Sequence, residues 1–380
     1  MEMDRIAIAM SGGVDSSTAA AILKEAGYDL VGFSMQLWDQ RRSMPDPDEF
    51  RSGRCCSLED LYDAREVAAQ LKIPYYVVDF QKEFESTVVR TFVENYGTGL
   101  TPSPCVLCNS LMKFDHLVRI AEEIRAVRVA TGHYARVSRD EDTGRYILMQ
   151  ARDKNKDQSY FLFELNQLQL AKAMFPLGNL DKDEVRQVAR RHGLPVAEKP
   201  ESQEICFVPE GDYAAFVERH FGEIVGGQRS KALSGGRIVD LDGRDLGAHP
   251  GIHHYTIGQR RGLGIANTSP LYVLELRPES NTVVVGERSH LGKRHCRVIR
   301  PNWISIPSLT EPLRVRAKIR SRHSAAAAAI VPTEDGCVDV EFDAPQPAIT
   351  PGQACVFYQD EKVVGGGWIS RFLTDIGKKG

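Results

Sequence analysis

Long apolar runs are missing from this chain: no stretch of its 380 residues approaches the roughly 20 that a membrane-crossing helix needs. The N-terminus also lacks the apolar core of an export signal, so a cytoplasmic protein with no membrane partner is expected. Charge of neither sign is in excess. Lys and Arg number 48 against 51 Asp and Glu, a net charge of -3, which excludes a uniformly basic nucleic-acid coat and leaves only local patches for such binding. The eight cysteines are unevenly spaced, so thiols, metal ligation or redox chemistry are expected in place of a disulfide scaffold. There is no internal repeat, no Gly-Lys-Ser/Thr of the Walker A kind and no G-x-G-x-x-G. The 42% hydrophobic and 26% charged content is that of ordinary globular domains, and the length allows two or three.

What is present is concentrated first in residues 5–26. Ile6–Met10 reads as a buried strand and Ser16–Ala26 as a helix, with Gly27 placed as its C-terminal cap. Between them stands Ser11-Gly12-Gly13-Val14-Asp15-Ser16. Two glycines let the backbone turn sharply and leave its N–H groups bare. Serine hydroxyls and the positive end of the helix then complete an anion cradle. A capped glycine-rich turn without a ligand would share this spacing. Further along, strands are expected at Leu30–Leu37, Tyr75–Phe80 and Val127–Ala130, the last leading into Thr131-Gly132-His133-Tyr134. Helices are expected from Ser57, which with Asp60 has the spacing of a capping box, over Phe84–Tyr96, and from Asn109 to about Arg125. Residues 38–54 read as a loop. This alternation implies a parallel sheet with ligands at the carboxyl ends of its strands. A hairpin turning at residues 141–144 follows, then a helix opened by Asp181 and Glu184 and closed at His192-Gly193.

After about Gly211 the pattern changes to short β-rich runs such as Tyr272–Leu276, Thr282–Val285 and Val338–Phe342, the signature of small β-domains or barrels. In Leu313–His323 five cations, Arg314, Arg316, Lys318, Arg320 and Arg322, alternate with apolar residues. On one strand they would share a face; a shorter run would read as a merely solvated barrel strand, but five in register suggest a phosphate-tracking stripe. His253, His254 and His323 have no ligand spacing and are expected to be surface or internally satisfied. Cys105-Val106-Leu107-Cys108 is expected in a loop just before a helix, where a thiol's pKa falls. Cys206 follows about a hundred residues later. A zinc site would need a fourth ligand, and lone cysteines usually just pack. Cys55-Cys56, Cys296, Cys337 and Cys355 are expected to be structural.

The strings SGGVDSS, FSMQLWD, TPSPCVLCN, ATGHYAR, DKNKDQSYFL, EICFVP, HYTIGQRRGLG and TPGQACVFY, in this order, resemble the MnmA-type tRNA-uridine 2-sulfurtransferases, enzymes of the PP-loop ATP pyrophosphatase superfamily. The resemblance runs from Ser11 to Tyr358. It implies an α/β fold: an N-terminal parallel-sheet PP-loop domain (1–210), a small central β-rich domain (211–277) and a C-terminal tRNA-binding β-barrel (278–380). It implies adenylation of O2 of the wobble uridine in tRNAs for Glu, Gln and Lys, with pyrophosphate release, then sulfur transfer to C2 with AMP release. Ala9, Met10, Ser11, Gly12, Gly13, Val14, Asp15, Ser16, Met35 and Gly132 would hold ATP, with Asp15 helping to hold Mg²⁺. His133, Lys156, Asp157, Gln158 and Gln353 would meet tRNA, joined by Arg316, Arg320 and Ser321 of the basic segment. Cys108 would be nucleophile or resolving cysteine and Cys206 the persulfide carrier. Many members carry Asp at the position of Cys105; the trio Cys105, Cys108 and Cys206 resembles instead members proposed to ligate a 4Fe–4S cluster. The sulfur donor would be a cysteine desulfurase, a persulfide relay protein or inorganic sulfide. The rival readings are another PP-loop adenylating enzyme (a tRNA-lysidine synthase or amidotransferase-type synthetase) and an RNA-binding protein gated by ATP.

Overall fold

β1 (Arg5–Ala9) is the centre of the first sheet because its Ile6, Ala7 and Ile8 have no exposed surface. The structure, a computed structural model, describes residues 4–39, 58–201, 205–208, 211–226 and 230–371. Ser57, Cys55, Cys56 and most of the expected loop at 38–54 lie outside them. The described residues divide into two compact units. One takes in residues up to 88, 105–211 and 360–363, the other 89–104, 212–359 and 364 onward.

In the first unit β1 is followed by α1 (Val14–Glu25), β2 (Asp29–Gln36), α2 (Leu58–Gln70) and β3 (Tyr75–Asp79). Gly27 takes φ +87° just past α1, and Tyr28 N–H reaches back to Leu23 O at 3.2 Å, the C-terminal cap expected from the sequence. β4 (Arg128–Ala130), the hairpin β5 (Ala135–Arg139) and β6 (Tyr146–Gln150), and β7 (Ala173–Met174) complete the strands of this unit. The sheet order is β3-β2-β1-β4-β7, parallel throughout. Its layers are closed by apolar residues of both faces, Ile8, Ala20 and Val67 on one and Val31, Leu117 and Val129 on the other. The capping box at Asp181 forms: its side chain accepts from Glu184 N–H at 2.9 Å and Glu184 from Asp181 N–H at 2.8 Å. It opens the helix Lys182–Arg191.

The expected place of the C-x-x-C pair is corrected. Helical structure begins at Pro104, with Pro104–Leu107, a wide turn Cys108–Phe114 and the helix Asp115–Glu123. Proline's fixed φ and missing N–H suit the first position of a helix. The C-x-x-C pair therefore stands within the first helical turns and not in a loop ahead of them.

The second unit holds the helix Tyr213–His220 and a four-stranded sheet of β8 (Gly236–Val239), β9 (Asp245–His249), β10 (Tyr272–Arg277) and β11 (Thr282–Gly286). It also holds β12 (Gly292–Trp303), β13 (Leu313–Lys318), β14 (Ala326–Pro332), β15 (Val338–Pro347), β16 (Ala354–Gln359) and, from residue 364, β17 (Lys362–Ile369). Their order β12-β15-β14-β13-β16-β17 closes on itself because β12 also pairs with β17. The alanine run at 325–329 belongs to one of these strands; Ala328 and Ile330 are buried among Val315, Val340 and Phe357.

The basic segment is a strand only as far as Lys318. Arg314 and Arg316 face outward while Val315 and Ala317 are buried, but residues 319–323 turn away. Five cations on one strand face is corrected to three, and Arg320, Ser321 and Arg322 follow beyond the strand.

Candidate ATP and sulfur-handling site

The turn from β1 into α1 lies at the carboxyl end of the sheet because a parallel strand must hand over to its helix there. Ser16 closes it: Ser11 N–H donates to Ser16 Oγ at 3.1 Å and Ser16 Oγ–H to Gly13 O at 3.2 Å. The first helical bond runs from Ser17 N–H to Gly13 O at 3.2 Å. The amides of Val14, Asp15 and Ser16 precede it and have no intrahelical acceptor, and Gly13 supplies no side-chain cap. Bare amides at a helix N-terminus are chemically suited to an anion. Gly12 is at φ +72°, and a Cβ there would overlap the Asp60 carbonyl; one at Gly132 would fall 2.6 Å from Ser16 N.

Over this turn lies a cavity of about 320 Å³. Ala9, Met10, Ser11, Gly13, Val14, Asp15, Ser16, Met35 and Gly132 line it, so of the ten residues expected around ATP only Gly12 is set back from the wall. His133, Lys156 and Gln158, expected to meet tRNA, line the same cavity. Gln158 fastens two loops: its Oε1 accepts from Tyr134 N–H at 2.9 Å while its own N–H donates to Tyr134 O at 2.9 Å. Asp157 faces inward, accepting from Ala151 N–H at 3.0 Å and Ser159 Oγ–H at 2.9 Å. Its carboxylate organises the loop that presents Lys156 and Gln158.

Charges converge here, and apart from Asp15 and Lys156 the sequence did not single them out. Lys182 Nζ donates to Asp15 Oδ1 at 2.7 Å and also pairs with Glu201. Lys156 Nζ reaches Glu201 at 2.6 Å. Lys199 Nζ donates to Gly12 O at 3.2 Å and to Asp60 at 2.6 Å, and also pairs with Asp63. Lys113 is a further wall residue. Burial opposes the Lys199 charge, yet the carboxylates of Asp60 and Asp63 hold its pKa above the usual lysine value. Burial likewise opposes ionised Glu201, and Lys156 and Lys182 hold it below the usual carboxylate range. Tyr134 donates to Asp15 Oδ1 at 2.7 Å; burial and that carboxylate raise its pKa. His133 is held neutral: burial, and then the Lys113 ammonium, push it down to about 3. Its Nδ1 is 2.8 Å from Thr131 Oγ1.

The three thiols expected to handle sulfur all belong to this unit. Cys105 is exposed, Cys108 buried and Cys206 half-buried, and none is in a disulfide. Cys206 is seated by its neighbour Phe207, whose ring meets Phe84 at 5.5 Å and Trp38 at 6.4 Å between centroids. Among the described residues the three sulfurs do not converge within 4.8 Å, the spacing of ligands on a single ion.

In the second unit Gln353 Nε2 donates to Thr101 O at 3.0 Å and Pro102 O at 3.1 Å, bracing the segment just ahead of Pro104. Arg314 is neutralised by Asp343, with N–O distances of 2.9 and 2.5 Å. Among the described residues Arg316 and Arg320 donate to the carbonyls of Ala325 and Pro347 and to no carboxylate.

Three sequence families match along the chain: the tRNA methyl transferase HUP domain over residues 4–210, the tRNA methyl transferase PRC-barrel domain over 228–287, and the aminomethyltransferase beta-barrel domain over 293–369. The chain is 52% identical over 371 residues to the tRNA-specific 2-thiouridylase MnmA of Koribacter versatilis, covering 96% of this chain and 99% of that protein. It is 50% identical over 373 residues to its namesake in Acidobacterium capsulatum (96% and 98% covered), and 52% over 371 to that of Solibacter usitatus (96% and 98%).

Proposed function

The chain belongs to the family of tRNA-specific 2-thiouridylases, and on that premise we propose how its residues divide the work of replacing a uridine oxygen by sulfur. It is a PP-loop enzyme that uses ATP to thiolate tRNA. The uracil C2 carbonyl is a poor electrophile because oxide leaves badly. Transfer of AMP to O2 creates a phosphate leaving group, and that step sets what the cavity must do: hold a polyphosphate, neutralise departing pyrophosphate and keep water out.

The observation that carries the assignment is the meeting of the α1 N-terminus with Lys156 and Lys199 around one cavity, with Lys182 paired to the wall residues Asp15 and Glu201. The amides of Val14, Asp15 and Ser16 bind a phosphate. Asp15 Oδ1 is engaged by Tyr134 and Lys182; Oδ2 has no partner among the described residues and is placed to take the Mg²⁺ that accompanies ATP. Met35 and Gly132 border the nucleoside end. Neutral His133 faces the target base as a hydrogen-bonding group and not as a cation. Residues 1–210 form the catalytic domain, 211–277 the central one, and Arg316, Arg320 and Ser321 of the 278–380 barrel contact tRNA phosphates.

For the sulfur step, Cys105, Cys108 and Cys206 would together hold an iron–sulfur cluster, which when bound supplies a sulfide nucleophile. The exposed Cys105 and buried Cys108 on one helical turn, with Phe207 fixing Cys206, are a ligand set of the required chemistry. A Cys206 persulfide resolved by Cys108, filled by a desulfurase or relay protein, is the competing route.

The test is anaerobic. Wild type and Cys105→Ala, Cys108→Ala and Cys206→Ala are assayed for iron, acid-labile sulfide and 2-thiouridine, with inorganic sulfide as donor. Each variant is expected to lose iron and activity together. Iron-free wild-type protein, or Cys105→Ala, that thiolates tRNA when cysteine and a desulfurase replace the sulfide returns the assignment to the persulfide route, because sulfide cannot form a persulfide without an oxidant. Pyrophosphate release without any thiolated uridine would point to another PP-loop enzyme.

A further inference from the structure

We propose that Glu218, His253 and His254 form a binding site for a divalent transition-metal ion of the zinc type, separate from the thiols and the ATP cavity. The three come from two segments of the second unit. Glu218 lies on the helix Tyr213–His220, and both histidines lie on the turn Ile252–His254. Glu218 Oε1 is 3.1 Å from His253 Nε2 and 3.1 Å from His254 Nε2, and the three ligand atoms fall within 4.8 Å of one another. A tetrahedral ion with bonds of about 2.0–2.1 Å has ligand-to-ligand edges of about 3.3 Å. The two measured edges are close to that.

Donor counting argues the same way. The carboxylate only accepts, so hydrogen bonding alone would require an N–H at Nε2 of both rings. His253, whose side chain is fully buried, has its other nitrogen, Nδ1, 3.4 Å from Ala232 O, again an acceptor. A neutral ring has one N–H for these two acceptors. A cation at Nε2 removes the conflict, because Nδ1–H then donates to the carbonyl as metal-bound histidines ordinarily do. The surroundings favour this arrangement. Gly251 leaves room for the ring, since a Cβ there would overlap the His253 imidazole. Tyr213 Oη donates to His254 O at 3.3 Å, fastening the turn to the helix that carries Glu218. Two imidazole nitrogens and one carboxylate oxygen suit zinc and its neighbours and not Mg²⁺ or Ca²⁺, which take oxygen ligands. Glu218 and His254 are partly exposed, with side-chain accessibilities of 38% and 31%, so water can complete the coordination. Bound there, the ion ties the helix to the turn.

Untagged full-length protein, stripped with EDTA, is titrated with Co²⁺ and Zn²⁺ beside Glu218→Gln and His254→Asn. Far-UV circular dichroism and melts in EDTA check that both variants fold. Wild type is expected to bind one equivalent more than either variant, with cobalt d–d bands free of thiolate charge transfer, and to melt higher with Zn²⁺. In the variants that equivalent should weaken at least tenfold and the Zn²⁺-dependent rise in melting should vanish. Binding at cysteines shows thiolate charge transfer and persists in all three. Equal stoichiometry in wild type and variants, or wild-type uptake seen only through thiolate bands, overturns the site.

Discussion

Asp15 has two relationships that compete. Its Oδ1 is held by Tyr134 and by Lys182, each at 2.7 Å, yet its place at the N-terminus of α1 suits a metal on polyphosphate. Asp15→Asn is expected to keep the fold and abolish pyrophosphate release in the presence of tRNA; near-normal release from a folded variant would reduce Asp15 to a partner of Lys182. Lys182 is only 12% exposed, so it acts where water screens little. Lys182→Met is expected to weaken ATP binding about ten- to hundred-fold, the equivalent of about 1.5–3 kcal/mol for a hydrogen bond to a charged group. Calorimetric titration with a non-hydrolysable ATP analogue checks this. Unchanged affinity would leave Lys182 as a tether between Asp15 and Glu201.

At the scale of elements, the close approach of the loop after β4 to the start of α1 is the feature most sensitive to one atom. Gly132→Ala would place its Cβ 2.6 Å from Ser16 N and 2.8 Å from the Asp15 carbonyl carbon. Neither is the end of a flexible side chain, so the two segments must separate. A loss of about 1–3 kcal/mol is expected from such overpacking, readable by urea denaturation. A variant as stable as wild type would mean that the loop has slack. The barrel strand β13 invites a different measurement. Arg314 is paired with Asp343, whereas among the described residues Arg316 and Arg320 donate only to carbonyls. Replacing both by Gln should lower the salt slope of log K for tRNA by about one to two, since each phosphate contact contributes about 0.7–0.9. ATP affinity should hold. An unchanged slope would make these arginines merely solvated.

For the molecule as a whole, acid is the informative stress. His133 is pushed down to about 3 by burial and Lys113, far below the roughly 6.5 of an unfolded histidine. Between those values the unfolded chain takes up a proton that the folded chain refuses. Stability from this group is therefore complete above about pH 6.5 and lost as pH falls toward 3, at up to about 1.4 kcal/mol per pH unit. Burial lowers His249, His253 and His323 in the same direction. Glu361, held at about 2 by Lys154 and Arg136, adds loss only below about pH 4.5, and its exposure keeps that contribution small. Unfolding free energy should fall steadily from pH 7 to 5, and His133→Gln should flatten that slope. An identical slope in the variant would remove His133 from the account.

The amino-acid sequence by itself determined what depends on near neighbours. The Ser11–Ser16 turn, the Gly27 cap, the Asp181–Glu184 capping box and the alternation of β13 all follow from residues a few positions apart, where backbone sterics and local hydrogen bonds decide. The family was legible for the same reason, in short strings whose order survives along the chain. The start of the C-x-x-C helix at Pro104 was misplaced because the Gly/Pro-rich run before it reads as loop wherever it ends. Only the tertiary structure decided the electrostatics of the site. Lys182 meets Asp15 across 167 positions and Lys199 meets Gly12 across 187. The paired triad of Glu218, His253 and His254 spans 36 positions. No periodicity encodes such meetings: the lysine pairs arise when a parallel sheet brings distant loops to one edge, the triad when a turn packs on a helix, and a lysine's charge is valued by what surrounds it after burial.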